Sequence, residues 1–286
     1  MKFLKDIFIH YIRSNTFEKG AALSYYTAFS FLPITVIITS VLGLIFKEEI
    51  ISGELYTFLE GIIGDKGAVQ FEDIIGKQHL FHHNVVTSII GVLILMLTAT
   101  GMFNQIHNSF NAIWGLKVRA EKSIINYFAR RISSLLVLML IGFYILLSTS
   151  INTFIIKYSS SLPNAFKDAD LYEHLISFVL ITLLFSVLFK IVGNAIVHWK
   201  TAIVSAGFTS VLFFLGKIAI GTYIAHSNIT STFGTASVLA LLMIWVYYTS
   251  QILFIGASFA YVFGQRTGHE IKPTSQVVRY VQKELR

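Results

Sequence analysis

The sequence predicts an all-α, polytopic membrane protein with six transmembrane helices, additional interfacial amphipathic helices and both termini in the cytoplasm. Three observations predict it. Hydrophobic residues make up 55% of the 286 positions and charged residues only 13%, with mean hydropathy +0.69, too little charge for a soluble domain. Several uncharged apolar runs reach the roughly 20 residues that cross a bilayer core as helix. The segments between those runs alternate between basic and non-basic. A barrel is not expected, because its strands would be short and alternating in polarity.

Residues 1–20 open with MKFLKDIFIHYIRS. Phe3, Leu4, Ile7, Phe8, Tyr11 and Ile12 recur at helical spacing, with Lys2, Lys5 and Arg13 mostly off that face. Such a helix suits the surface of anionic lipid. The first span, 21–46, has no charge, yet its first half carries Ser24, Tyr25, Tyr26, Thr27 and Ser30. Pro33 removes one backbone hydrogen bond and strands the carbonyl of Phe29, which protein or water must satisfy within hydrocarbon. A kink at Pro33 is expected, with the hydroxyl-rich half facing the bundle interior.

The loop 47–84 holds three lysines against seven acids. Ile51, Leu55, Phe58, Leu59, Ile62 and Ile63 form an apolar stripe in it. His79, His82 and His83 follow at zinc-like spacing, but the chain has no cysteine to complete a set, and the segment reads as a solvated loop. The second span, 85–106, runs out through TATGMFNQIHNSFNAIWG. There Asn104, Asn108 and Asn111 fall at i, i+4, i+7 and share one helix face. A polar stripe of this kind wants another helix or a cavity.

The loop 107–132 is basic, and Ile124, Ile125, Phe128 and Ile132 give it a second amphipathic segment. Spans at 133–156, 175–197 and 201–225 follow. Lys190 lies near the end of the fourth, where snorkelling is easy. Lys217 lies within the fifth, about 12 Å of helix from its outer end, beside Gly216 and Gly221. An intramembrane cation marks a site or a buried partner by default, and no acid lies in any span to pair with it. An anionic headgroup, a helix C-terminus or a hydroxyl cluster would serve; a snorkelling lysine is the other reading. The sixth span, 236–263, carries Trp245, Tyr247, Tyr248, Thr249, Ser250 and Gln251 near its middle. Gly256, Ala257, Ser258 and Ala260 then offer a small-residue surface.

Loop charge sets the orientation. Sixteen Lys and Arg fall on the side of the termini and five on the other, so both termini are expected in the cytoplasm. No linker or repeat divides the chain, and 1–286 reads as a single membrane domain. The acids on the terminal side, Asp6, Glu18, Glu121, Glu270 and Glu284, are scattered, as are His10, His107, His198 and His269. A metal-dependent nuclease needs such groups clustered. No ribonuclease or other enzyme activity, metal, cofactor or nucleic-acid partner is expected.

The chain resembles the YihY/BrkB family of bacterial inner-membrane proteins. The resemblance rests on Ala22-Leu23-Ser24-Tyr25-Tyr26 with Pro33, on Asn111 and Trp114, and on Trp199-Lys200 opening the fifth span. It continues through Gly207, Tyr223, Phe233-Gly234, Trp245, Tyr247-Tyr248 and Gly256-Ala257. The family often has Gly-Ala-Glu where this chain has Gly256-Ala257-Ser258, so a carboxylate is missing here. The resemblance implies six spans, cytoplasmic termini and an inner-membrane location. The resemblance implies less about function; the hydroxyls, amides and deep lysine, with the proline-broken first span, lead to a transporter or lipid-handling protein for an anionic amphiphile such as phospholipid or a lipopolysaccharide precursor. A non-transporting scaffold in envelope assembly is the alternative. The candidate cavity-lining residues are Lys217, Ser24, Tyr25, Tyr26, Asn104, Asn108, Asn111, Tyr247, Tyr248 and Gln251.

Overall fold

The computed structural model of the chain describes residues 2–43, 101–118, 169–226, 237–274 and 277–280, with single helical positions at 56, 69, 137, 140, 141, 143, 144, 147 and 148. Most of spans 85–106 and 133–156, most of the stripes at 51–63 and 124–132, the histidines 79, 82 and 83, and positions 233–234 lie outside the described residues. Two helices open the chain, α1 (Lys2–Arg13) and α2 (Thr16–Gly43). Helical residues 101–113 form α3 and run into strand β1 (Leu116–Val118). Then come α4 (Ala169–Ile191), β2 (Ala195–Ile196), α5 (Trp199–His226), α6 (Ser237–Arg266), β3 (Lys272–Pro273) and β4 (Val277–Arg279).

Among the described residues, α4, α5 and α6 are long and apolar enough to cross a membrane, over His174–Ile191, Trp199–Ile220 and Leu239–Arg266. Within these windows 44% of α6 is buried against 22% of α4, so α6 is the more central helix. Leu175, Val179 and Leu183 on α4 and Ile203, Val211, Leu215 and Ile218 on α5 are exposed, an apolar exterior that only lipid or another apolar surface can cover favourably. α2 occupies the place of the first expected span and is one helix through Pro33, so the proline does not end it.

The helices pack antiparallel. Thr182 donates to Ser210 across α4 and α5 at 2.9 Å, and Phe178 meets Phe214 at 5.8 Å. Phe208 of α5 stacks on Phe259 of α6 at 4.4 Å. The expected small-residue surface of α6 does allow close approach: a Cβ on Gly256 would stand 2.0 Å from Thr209 Oγ1. Ala202 and Ala206 of α5 and Ala257 and Ala260 of α6 are all fully buried.

Two expectations need correction. The fourth span was expected to reach residue 197, but α4 stops at Ile191. Gly193 turns the chain with φ +85°, a conformation that favours glycine. Val192 and Val197 remain apolar because they are buried in protein, and hydropathy alone does not separate that from lipid. The all-α expectation is also incomplete. β1 pairs antiparallel with β4, placing Lys117 opposite Val278, and β2 pairs with β3, placing Ile196 opposite Lys272. Both ribbons lie at the end of the bundle that carries α1 and the last residues of α6, called here the basic end.

α1 splits its apolar band between two surroundings. Ile7 is buried with Phe259 and Val262 of α6, and Asp6 pairs with Arg266. Leu4, Phe8 and Ile12 of the same helix are exposed. His10 stacks on Tyr261 at 4.2 Å and its Nε2 lies 2.8 Å from the carbonyl of Ile113, so Nε2 carries the donated proton. Burial lowers the His10 pKa from 6.5, opposed by that hydrogen bond. Below about pH 6.5 the undocked helix therefore takes up a proton that the docked one resists. Docking of α1 should be complete above that pH and weaken as pH falls through the lowered pKa. Hydrogen exchange of α1 at pH 8 and pH 5, corrected for intrinsic rates, should show greater opening at pH 5 in the wild type and a smaller change in His10→Phe.

Candidate functional site

The basic end is built around an aromatic cluster. Phe110, Trp114, Phe189 and Phe254 are buried to 1% exposure or less, and Phe110 meets the Trp114 ring edge-on at 5.1 Å. Trp114 Nε1 donates to the carbonyl of Ala257 at 3.1 Å. Gly115, with φ +65°, ends α3, and β1 leaves from there to meet the C-terminal strand. The Gly193–Asn194 turn is held by α3. His107 Nδ1 accepts from Gly193 N at 3.1 Å and Asn111 Oδ1 from Asn194 N at 2.9 Å. Thr274 then donates to the Asn194 carbonyl through both N and Oγ1. Lys190 donates to the Val197 carbonyl and stands 5.2 Å from the Trp199 ring centre. It secures the same turn.

Of the hydroxyl-rich stretch in α2, Ser24, Thr27 and Ser30 are buried. Ser24 and Thr27 donate to their own helix, to the carbonyls of Ala21 and Leu23. Tyr25 and Tyr26 do not join them: both are exposed, Tyr25 beside Phe29 at 4.8 Å and Tyr26 against Gly101 of α3. The reason is periodicity, since positions 24, 27 and 30 share a face that 25 and 26 cannot.

Gln251 is a joint between elements. Its Oε1 accepts from Tyr11 and its Nε2 donates to the Thr16 carbonyl at 3.4 Å. It lies directly over Gly20, where a Cβ would meet Nε2 at 1.9 Å. Gln251 thus ties the α1–α2 junction to α6. Tyr247 and Tyr248 are half-buried, and the Tyr248 hydroxyl fills the space above Gly216, 1.9 Å from where a Cβ would be.

Lys217 does not point into the described bundle. It is exposed on α5, beside Leu215 at 61% and Ile218 at 69% exposure. The apolar window of α5 ends at Ile220, three residues on, or about 4.5 Å of helix. α5 continues to His226 beyond that window. The helix end lies one residue beyond the 225 expected for this span.

The asparagine stripe does reach a cavity. Asn104 is half-buried, Asn108 exposed and Asn111 buried at 3% exposure. A cavity of about 320 Å³ at the basic end is lined by Asn108, Asn111, Ala112, Leu116, Lys117 and Tyr280. Lys117 and Tyr280 were not singled out from sequence. They meet the stripe only because β1 pairs with β4, which puts Tyr280 N 2.9 Å from the Gly115 carbonyl. The local signals were Gly115 followed by an apolar–basic–apolar triplet, and the short run Val277-Val278-Arg279-Tyr280.

Comparison with known sequences places the chain among membrane proteins. The profile of the family described as virulence factor BrkB matches residues 7–280. The chain belongs to the BrkB family. Curated relatives include UPF0761 membrane proteins from Tolumonas auensis, 28% identical over 85% of this chain and 79% of the relative, and from Mannheimia succiniciproducens, 25% identical over 92% and 90%. A third, from Saccharophagus degradans, is 23% identical over 93% of this chain but only 60% of its own length. No solved structure matches the chain. It is a BrkB-family membrane protein, and four of the residues that carry the resemblance, Asn111, Trp114, Gly256 and Ala257, converge on the aromatic cluster. Ser258, at the position where the resemblance leads to a glutamate, is fully buried and its Oγ has no partner among the described residues.

Proposed function

We infer that this protein handles an anionic amphiphile in the bacterial inner membrane, as a lipid transporter or lipid-handling protein without enzymatic activity, its termini in the cytoplasm. Lys217 is the observation that carries the reading. Its cationic side chain stands on an exposed face between Leu215 and Ile218, within an apolar window of membrane-spanning length. An anionic headgroup can meet the ammonium there while acyl chains cover the neighbouring apolar side chains. Phospholipid and lipopolysaccharide precursors have this chemistry. The test is lipid mass spectrometry on wild type and Lys217→Met purified in native membrane patches. A specific anionic lipid enriched over the surrounding membrane by the wild type, and lost in the variant, is expected. Identical lipid profiles would remove the main support.

The second reading is a scaffold for partner membrane proteins. It is favoured by the commitment of interior polar groups to joints between elements, namely Tyr11 with Gln251 and Thr182 with Ser210. Identical lipid profiles together with specific protein cross-links would select it.

A further inference from the structure

The cavity at the basic end has a lining that selects its occupant. Asn111 Oδ1 accepts the backbone N–H of Asn194 at 2.9 Å. That contact fixes the amide orientation and makes Nδ2 the donor. Nδ2 is buried and has no hydrogen-bond partner among the described residues, although buried amide donors are nearly always paired. Asn111 also lines the cavity, together with Asn108, Lys117 and Tyr280. The described polar lining thus offers two amide groups, one ammonium and one phenol. No acid lies among the described lining residues. Among the described residues, Arg279 is already engaged with Glu270 and the Ile271 carbonyl, which leaves Lys117 as the cation of the site.

We propose that this cavity binds a phosphate group, with Lys117 supplying the charge and Asn111, Asn108 and Tyr280 supplying hydrogen bonds. A phosphate offers several acceptor oxygens to donors on different sides, more than the two of a carboxylate. Ala112 and Leu116 are the apolar members of the described lining and suit the carbon side of a phosphate ester. The site is composite: Asn108 and Asn111 come from α3, Lys117 from β1 and Tyr280 from the residue after β4. An occupant would therefore bridge α3 and the C-terminal segment across the β1–β4 ribbon. The phosphate can come from a lipid headgroup at the membrane surface or from a soluble ester or ion. The site does not depend on Lys217, and its test is separable from that of the reading above.

The full chain in phosphatidylcholine nanodiscs would be titrated with inorganic phosphate by calorimetry. In parallel, retention of phosphatidic acid through delipidation would be counted by mass spectrometry. Lys117→Met should weaken phosphate binding about tenfold or more, the loss expected for a charge-assisted hydrogen bond, and abolish retention of phosphatidic acid. Tyr280→Phe should weaken binding by a smaller factor, and Lys217→Met should leave it at the wild-type value. Lys117 is exposed, so Lys117→Met should keep the wild-type melting temperature without phosphate; if it does not, Asn108→Ala, also at an exposed position, takes its place in both arms. Lys117-dependent binding of inorganic phosphate would identify a soluble source. Lys117-dependent retention of phosphatidic acid alone would identify a headgroup. Both arms indifferent to the cavity substitutions would overturn the proposal.

Discussion

Trp114→Ala should cost about 3–5 kcal/mol, the range for removing a large aromatic from a packed core. Trp114 is 1% exposed and fills the junction of three segments. Phe110 packs edge-on against it at 5.1 Å. A Cβ on Gly193 would lie 2.7 Å from its Cζ3, so the α4–β2 turn is moulded on the ring. Its Nε1 reaches the Ala257 carbonyl on α6 at 3.1 Å. Trp114→Phe keeps much of the packing and loses the hydrogen bond, whose net worth is about 0.5–1.5 kcal/mol, so it should cost much less than Trp114→Ala. Unfolding in mixed micelles would measure both. Equal costs for the two variants would mean that the ring does not anchor the basic end.

Gly256→Ala should be nearly as damaging, despite the small change. Its Cβ would sit 2.0 Å from Thr209 Oγ1 and 2.9 Å from Phe189 Cζ. Thr209 cannot turn away freely, because its Oγ1 donates to the Ser205 carbonyl at 2.7 Å and its Cβ would also be only 3.1 Å away. Overpacking of this kind costs about 1–3 kcal/mol, and Gly256→Leu should fail to accumulate as a folded protein. Thr209→Ala should recover part of the loss in Gly256→Ala, because it removes the nearer of the two clashes. Gly207→Ala is the matched comparison. A Cβ there meets nothing within 4 Å among the described residues, so the substitution should be neutral or stabilise the helix by up to about 1 kcal/mol. Melting temperatures of Gly256→Ala, of Gly256→Ala with Thr209→Ala, and of Gly207→Ala in one detergent would decide. A Gly256→Ala protein as stable as Gly207→Ala would show that α5 and α6 can separate without cost.

Several elements could be read from composition because each depends on its own residues. The fifth and sixth spans agree with α5 and α6 to within three residues at every end. α1 was visible as an amphipathic helix, and Gly256, Ala257 and Ala260 as a packing surface. The candidate residues were harder. Ser24 was expected to face inward and does so, yet its hydroxyl bonds its own helix, an option open to any helical serine in any environment. Asn111 was expected to meet a helix or a cavity; it holds the Gly193–Asn194 turn through Asn194 and lines a cavity with Lys117. Tyr25 and Tyr26 adjoin Ser24 in sequence and yet are exposed where it is buried, because adjacency in a helix is separation in space.

Membrane class, helix positions and the basic balance of the two ends were properties of segments, and hydropathy and charge sum along a segment without reference to any other. The tertiary structure decided what those segments do to one another. It ended α4 at Ile191, turned the chain at Gly193 and buried Val192 and Val197 in protein. It turned Lys217 outward, made Gln251 a joint, and brought Tyr280 beside Lys117. Each outcome depends on partners from other elements, in the last case across the β1–β4 register. A contact energy of that kind belongs to a pair of distant residues, and one residue's polarity does not reveal which partner it will find.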